Sequence, residues 1–160
     1  MDASLSGPAS FTGRTNQQER KTIMADYFTN FSLRLALPDE DARQYALDLA
    51  HQAGTVMQGD EMPDSFPAAL REVVEDWQFE TDPSEQCDLW LHTAYGGVDA
   101  VCAFIQHLLQ RFNPEGRVTF EWSNDCSKPR LDAYGGGAAI VTAHKIKTMS
   151  TTGWLQTHAA

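Results

Sequence analysis

The sequence predicts an α+β fold of the ferredoxin-like split βαβ type, in which helices cover one face of an antiparallel sheet. Runs of alternating apolar residues, typical of half-buried strands, are interleaved with stretches of helical spacing. Their main order along the chain is strand, helix, two strands, helix, strand. The 160 residues, 42% of them hydrophobic, are enough for one globular core. We therefore expect a single domain over 25–160.

The first elements follow from local patterns. Residues 1–24 are polar and show no period of 2 or 3.6, which predicts a flexible leader. The first strand is predicted at 31–37, where every second residue is apolar. Pro38 ends it, and Asp39 is the predicted N-cap of a helix with apolar residues at helical spacing. Gly54 is the predicted C-terminal cap of that helix.

The middle of the chain predicts a short helix, a hairpin and a long helix. Residues 65–67 can begin the short helix. Alternating runs at 77–81 and 89–93, separated by the turn-forming Asp-Pro-Ser at 82–84, predict an antiparallel hairpin. The strongest apolar stripe of the chain, at 98–112, predicts the core helix.

The last third predicts two more strands. Alternation at 118–122 predicts one strand, and the apolar run at 138–141, which follows three glycines, predicts another. A short helix is expected at 144–149. Trp154 and Leu155 are expected in a tail that docks onto the body of the domain.

The net charge of −10 is unevenly distributed. The segment from Asp39 to Asp88 carries fourteen carboxylates and two arginines, a net charge of −12, whereas 89–160 has a net charge of +1. Such a segment repels nucleic-acid phosphates, which argues against direct binding of DNA or RNA. It can instead imitate a row of phosphates and occupy a basic groove on another protein.

Four carboxylates of this segment form the predicted partner-binding surface: Glu72, Glu75, Asp76 and Glu80. The alternative is that the acidic residues only keep a small protein in solution.

A second candidate site lies around the loop between the last two predicted strands. Its residues are Trp122, Cys126, Lys128, Arg130, Gly135, Gly136 and Gly137. Cys126 could act as a nucleophile if the two cations favoured its thiolate, but no histidine lies nearby in sequence to serve as a base. The alternative is a structural cysteine, with the glycines marking a bulge or a close approach of backbones.

No metal site and no cofactor are predicted. The five histidines are scattered, and the chain contains neither Cys-x-x-Cys nor His-x-x-x-His. The three cysteines are an odd number without close pairing, which is typical of free thiols in a reducing compartment. No run approaches the ~20 apolar residues of a membrane span. We therefore expect a cytoplasmic protein that does not bind membranes.

The second candidate site also carries a resemblance. Trp122, the run Cys126-Ser127-Lys128-Pro129-Arg130 and the run Gly135-Gly136-Gly137-Ala138 form a W-x3-C-S-K-P-R…G-G-G-A motif. In this motif the sequence resembles a group of small uncharacterised proteins carried by bacterial plasmids, integrative elements and phages. The resemblance covers mainly 89–154. It implies a mobile-element setting and no particular reaction.

These observations favour a non-enzymatic accessory factor of a mobile element that binds another protein. In its sharper form it is a host-defence inhibitor, of the anti-CRISPR or anti-restriction kind, whose acidic segment occupies a nucleic-acid-binding surface. The rival hypothesis is a ligand-binding or enzymatic domain that uses the loop at 126–137. A third is self-association through a free sheet edge.

Overall fold

The computed structural model describes residues 25–159, so the leader expected at 1–24 lies outside the described residues. The strands are β1 Tyr27–Leu35, β2 Glu80–Pro83, β3 Leu89–Thr93, β4 Arg117–Cys126, β5 Gly135–Thr142 and β6 Ile146–Ser150. The α-helices are α1 Glu40–Met57, α2 Ala68–Arg71, α3 Val98–Phe112 and α4 Thr151–His158, and a 3-10 helix spans Val74–Asp76. Over this part of the chain, no helix combines the length and apolarity needed to cross a membrane.

The six strands form one antiparallel sheet in the order β2-β3-β1-β4-β5-β6. Strand β3 lies between β1 and β2, and β1 lies between β3 and β4. Strands β5 and β6 extend the sheet beyond β4, which leaves β2 and β6 as its two edges. The α+β class and the antiparallel sheet are thereby confirmed.

Strand alternation places the core on one face of the sheet. In β1, Phe31, Leu33 and Leu35 are buried, whereas Ser32 and Arg34 between them are exposed. The buried residues of β3 to β5 join the same cluster as the apolar stripes of α1 and α3. Burial of these stripes is the main source of stability, since each fully buried aliphatic or aromatic side chain contributes about 1.5–3 kcal/mol.

Helix α1 begins as predicted and ends later than predicted. The Asp39 carboxylate accepts a hydrogen bond from the Ala42 N–H at 2.8 Å, which confirms the N-cap. The predicted cap at Gly54 is wrong, because the helix continues to Met57 and Gly54 lies inside it. The turn that follows uses Gly59, whose φ of 110° is the positive value that favours glycine.

The short helix and the hairpin of the middle segment are confirmed, with different bounds. Helix α2 and the 3-10 helix together occupy the predicted helical stretch. Strand β2 pairs with β3 from Glu80 opposite His92 to Pro83 opposite Leu89. Trp77 precedes the hairpin and is buried against the core helix α3 through Phe104.

The helix predicted at 144–149 is wrong. The Thr142 hydroxyl accepts hydrogen bonds from the backbone N–H groups of His144 and Lys145, which closes a tight turn. The chain then returns as strand β6, and α4 follows it. Helix α4 contacts β5 and β6, which confirms that the tail docks onto the body of the domain, although Trp154 and Leu155 themselves remain 52% and 57% exposed.

Candidate functional site

Elements of the acidic segment contact one another at one edge of the sheet. Helix α1 contacts both β2 and the 3-10 helix, and β2 forms an edge of the sheet. Lys145 and Lys147 belong to the hairpin of β5 and β6 at the opposite edge. The order of the strands therefore separates the acidic segment from these two cations.

Arginine neutralises little of the acidic segment. Within 25–159, the ion pairs to arginine join Arg43 to Glu40 and Arg34 to Asp88. Two arginines from the second half of the chain contact aromatic rings instead: Arg111 lies over Tyr45, at 4.4 Å from the ring centroid, and Arg130 lies over Tyr27. Most carboxylates of the acidic segment thus have no arginine partner.

The four predicted partner-binding residues differ in their surroundings. Glu72, Glu75 and Glu80 are exposed, whereas Asp76 is half-buried at the start of α3. Backbone N–H groups of Asp99 and Ala100 donate hydrogen bonds to the Asp76 carboxylate. Burial raises the pKa of Asp76, the two hydrogen bonds oppose that rise, and the nearby negative charge of Asp99 adds to it. Asp76 therefore caps α3, which has no side-chain cap at Gly97.

We expect Asp76→Ala to lower the free energy of unfolding by about 1 kcal/mol, because the first N–H groups of α3 lose their acceptor. Asp76→Asn keeps an acceptor and is expected to retain most of the stability. Urea unfolding of the three proteins at neutral pH measures both effects. An alanine variant as stable as the wild type would contradict the capping role.

The raised pKa of Asp76 also predicts how the stability of the wild type and of Asp76→Asn should change with pH. A raised carboxyl pKa means that the folded state binds the proton more tightly than the unfolded state. The wild type should therefore gain stability relative to Asp76→Asn as the pH falls through the raised pKa of the folded state towards the ordinary pKa of an aspartate. The asparagine variant, which does not titrate at this position, is the reference for that comparison.

In the candidate site around the loop between β4 and β5, Cys126 and Arg130 form hydrogen bonds that stabilise the fold. Cys126 is only 8% exposed, at the end of β4, and its carbonyl accepts a hydrogen bond from the Tyr134 hydroxyl. Arg130 donates to the Tyr27 hydroxyl, and Lys128 is half-buried. The histidines with described side-chain contacts lie elsewhere: His92 on β3, His107 on α3 and His158 on α4.

The three glycines are explained by close packing. Gly135 has a φ of 149°, a conformation that favours glycine. A Cβ atom on Gly136 would lie 2.2 Å from the Trp122 carbonyl oxygen, and one on Gly137 would lie 2.2 Å from Cζ2 of the Trp122 ring. The backbone of β5 thus approaches β4 too closely for a side chain at these positions, as the structural alternative predicted.

All three cysteines are free. Cys102 is buried in α3, and burial raises the pKa of its thiol to about 12, with the charge of Asp99 as a second cause. A thiol with so high a pKa is inert as a nucleophile at neutral pH.

A cleft of about 940 Å³ opens where β1 changes its partner in the sheet. Strand β1 pairs with β4 over Tyr27 to Asn30 and with β3 over Phe31 to Leu35. The cleft is lined by Asn30, Phe31, Ser32, Met57, Trp77, Gln78, Phe79, Glu80, His92, Thr93, Ala94, Tyr95, Glu121, Trp122 and Ser123. Aromatic walls with a few polar groups are typical of ligand sites.

At the border of this cleft, the hairpin of β2 and β3 brings together two carboxylates and an imidazole. Nε2 of His92 lies 2.8 Å from Oδ2 of Asp82 and 3.9 Å from Oε2 of Glu80. The ring of Trp90 stacks on that of His92, with centroids 3.7 Å apart, and its Nε1–H donates to the Ser32 hydroxyl. Sequence spacing missed this cluster. The hairpin prediction could have found it, because its register pairs Glu80 with His92.

Comparison with known proteins adds no assignment: no family model matches the chain, and no curated protein or solved structure matches it.

Proposed function

We propose that this protein is a non-enzymatic binding factor whose acidic side docks onto a cationic surface of another protein. The observation that carries the proposal is the arrangement of the acidic segment. Eight of its fourteen carboxylates lie on α1 with its cap, on the 3-10 helix or on β2, and α1 contacts the other two elements. Most of the fourteen have no arginine partner. Carboxylates that are concentrated and not neutralised in this way steer a cationic partner and orient it.

The partner that best fits this chemistry is a protein that normally binds nucleic acid. Its groove presents cations at the spacing of phosphates, and a rigid row of carboxylates can replace those phosphates. In its sharper form, the proposal is an inhibitor of a host nuclease complex, encoded by a mobile element and acting in the cytoplasm. The three free thiols are consistent with a reducing compartment.

For the scaffold, we propose a ferredoxin-like core made of β1 to β4 with α1 and α3, extended by β5 and β6. The strand order β2-β3-β1-β4 supports it, because β3 is inserted between β1 and β2, and β1 between β3 and β4. That is the interleaving of two split βαβ units.

The test is displacement of labelled duplex DNA from purified CRISPR effector and restriction complexes. The wild type should displace DNA at low ionic strength and lose affinity as salt is added. Reversal of Glu72, Glu75 and Glu80 to lysine should weaken binding by at least about tenfold, because it places cations against the partner's cations. Asp76 is left unchanged, since its replacement would disturb α3.

The matched control reverses Asp26, Glu115 and Asp132 to lysine. These three carboxylates are exposed and lie outside the acidic segment, so the net charge changes by the same amount. The control should bind like the wild type. Binding that is insensitive to salt and equal in both triple variants would contradict the proposal.

A further inference from the structure

We propose that Glu80, Asp82 and His92 form a binding site for a divalent transition metal ion, with Zn²⁺ as the best-fitting ion. The three ligand atoms, one from each side chain, lie within 4.8 Å of one another. One imidazole and two carboxylates are a donor set that suits zinc, and three protein ligands leave a fourth position open. This site was not predicted from sequence, where the absence of standard histidine and cysteine spacings argued against a metal.

The spacing of the ligand atoms fits a tetrahedral ion. With metal–ligand bonds of 2.0–2.2 Å, neighbouring ligand atoms around zinc are about 3.4 Å apart. The two distances from Nε2 of His92, 2.8 Å to Asp82 and 3.9 Å to Glu80, lie on either side of that value. Adjustments of about half an ångström would bring each carboxylate oxygen to that separation from Nε2. The two carboxylate oxygens lie no more than 4.8 Å from each other, so they would have to approach by at most about 1.4 Å.

The scaffold holds the ligands on regular structure. Glu80 is directly opposite His92 in the ladder between β2 and β3, and Asp82, two residues further, faces the same side of the sheet. Stacking by Trp90 fixes the plane of the imidazole, and Ser32 on the neighbouring strand fixes Trp90. Such supporting contacts orient a metal ligand before the metal binds.

The position of the cluster suggests what the open coordination site would take. Glu80 and His92 also line the cleft of about 940 Å³, whose walls include Phe31, Trp77 and Trp122. A zinc ion there would present its open position next to aromatic surface. The matching ligand class is a small molecule or peptide end with an anionic oxygen donor and an apolar body.

The experiment is a titration of the purified full chain, freed of metal by a chelator, with Zn²⁺ and separately with Co²⁺. Isothermal titration should show one equivalent of zinc, and bound cobalt should show the absorption bands of tetrahedral coordination. His92→Gln and Asp82→Asn should each weaken zinc binding by about 100-fold, since each removes a ligand. His144→Gln, an exposed histidine at the opposite sheet edge, should bind zinc like the wild type.

A supporting role for Trp90 gives a second readout. Trp90→Leu leaves all three ligands in place and should weaken zinc binding by about tenfold, because the imidazole loses its orientation. Zinc should also raise the thermal midpoint of the wild type and not that of His92→Gln.

The proposal is overturned if zinc does not bind, or if its affinity is unchanged in His92→Gln and Asp82→Asn. Circular dichroism shows whether each variant is folded. If His92→Gln does not fold, Asp82→Asn still tests the site, because Asp82 lies on the edge strand β2. None of these measurements involves a protein partner, so they can fail while the proposed function holds. Conversely, a variant with only Glu72 and Glu75 reversed keeps all three ligands and should still bind zinc.

Discussion

Gly137→Ala is expected to lower the free energy of unfolding by about 3 kcal/mol, a large effect for the addition of one methyl group. The added Cβ would lie 2.2 Å from Cζ2 of Trp122 and 2.4 Å from the carbonyl oxygen of Met149. The indole could rotate away, but the carbonyl belongs to β6, which pairs with β5 at this position through Ser150. Relief of the clash therefore requires part of the ladder between β5 and β6 to open.

Gly54→Ala is the matched control for this substitution. Gly54 lies inside α1, and a Cβ there would meet no atom within 4 Å. Alanine is the better helix former, so this variant should gain about 0.5–1 kcal/mol. The same chemical change thus has opposite signs at the two sites, and urea unfolding of both variants measures the difference.

A double variant separates the two parts of the Gly137 clash. Trp122→Leu in the Gly137→Ala background removes the indole contact and leaves the contact with the Met149 carbonyl oxygen. Recovery should therefore be incomplete. A Gly137→Ala protein as stable as the wild type would contradict the packing explanation for this glycine.

The elements that sequence reasoning placed well are those decided by local chemistry. The apolar stripe of α3 fixed both ends of that helix, and Asp39 marked the start of α1 through a hydrogen bond three residues away. The end of α1 was misplaced because Gly54 is tolerated inside the helix, and the turn is made at Gly59. The segment that forms β6 was predicted as a helix because the tight turn before it depends on the Thr142 hydroxyl, which no local pattern marks.

The candidate sites were harder to predict because they depend on register. Glu80, Asp82 and His92 meet only because β2 and β3 pair with Glu80 opposite His92; a slip of one residue would turn the partners to opposite faces. The role of Asp76 depends on how the 3-10 helix meets the start of α3. In contrast, the acidity of 39–88 could be counted directly from the sequence, because it does not depend on how the strands pair.

Phe104→Ala is expected to have the largest effect of all, a loss of about 3–5 kcal/mol in the free energy of unfolding. Phe104 is fully buried on α3. Its ring meets Trp77 edge-on, with centroids 5.2 Å apart, and Phe79 at 5.9 Å. Truncation therefore removes both the buried area and the aromatic contacts, and leaves a cavity between α3 and the sheet. Since single domains are stable by about 5–15 kcal/mol, this variant should unfold at much lower urea concentration.

Two comparisons make the Phe104 result specific. Ile140→Ala removes an apolar side chain that is 43% exposed on β5 and should change stability by less than about 0.5 kcal/mol. Phe104→Leu fills part of the cavity and should recover part of the loss. A loss below about 1 kcal/mol in Phe104→Ala would mean that α3 is not packed as described.

Phe104→Ala should also affect the proposed zinc site. Phe79, which contacts Phe104, immediately precedes the ligand Glu80, so loosening of the contacts among Trp77, Phe79 and Phe104 should weaken zinc binding at the hairpin. The same metal titration measures this coupling.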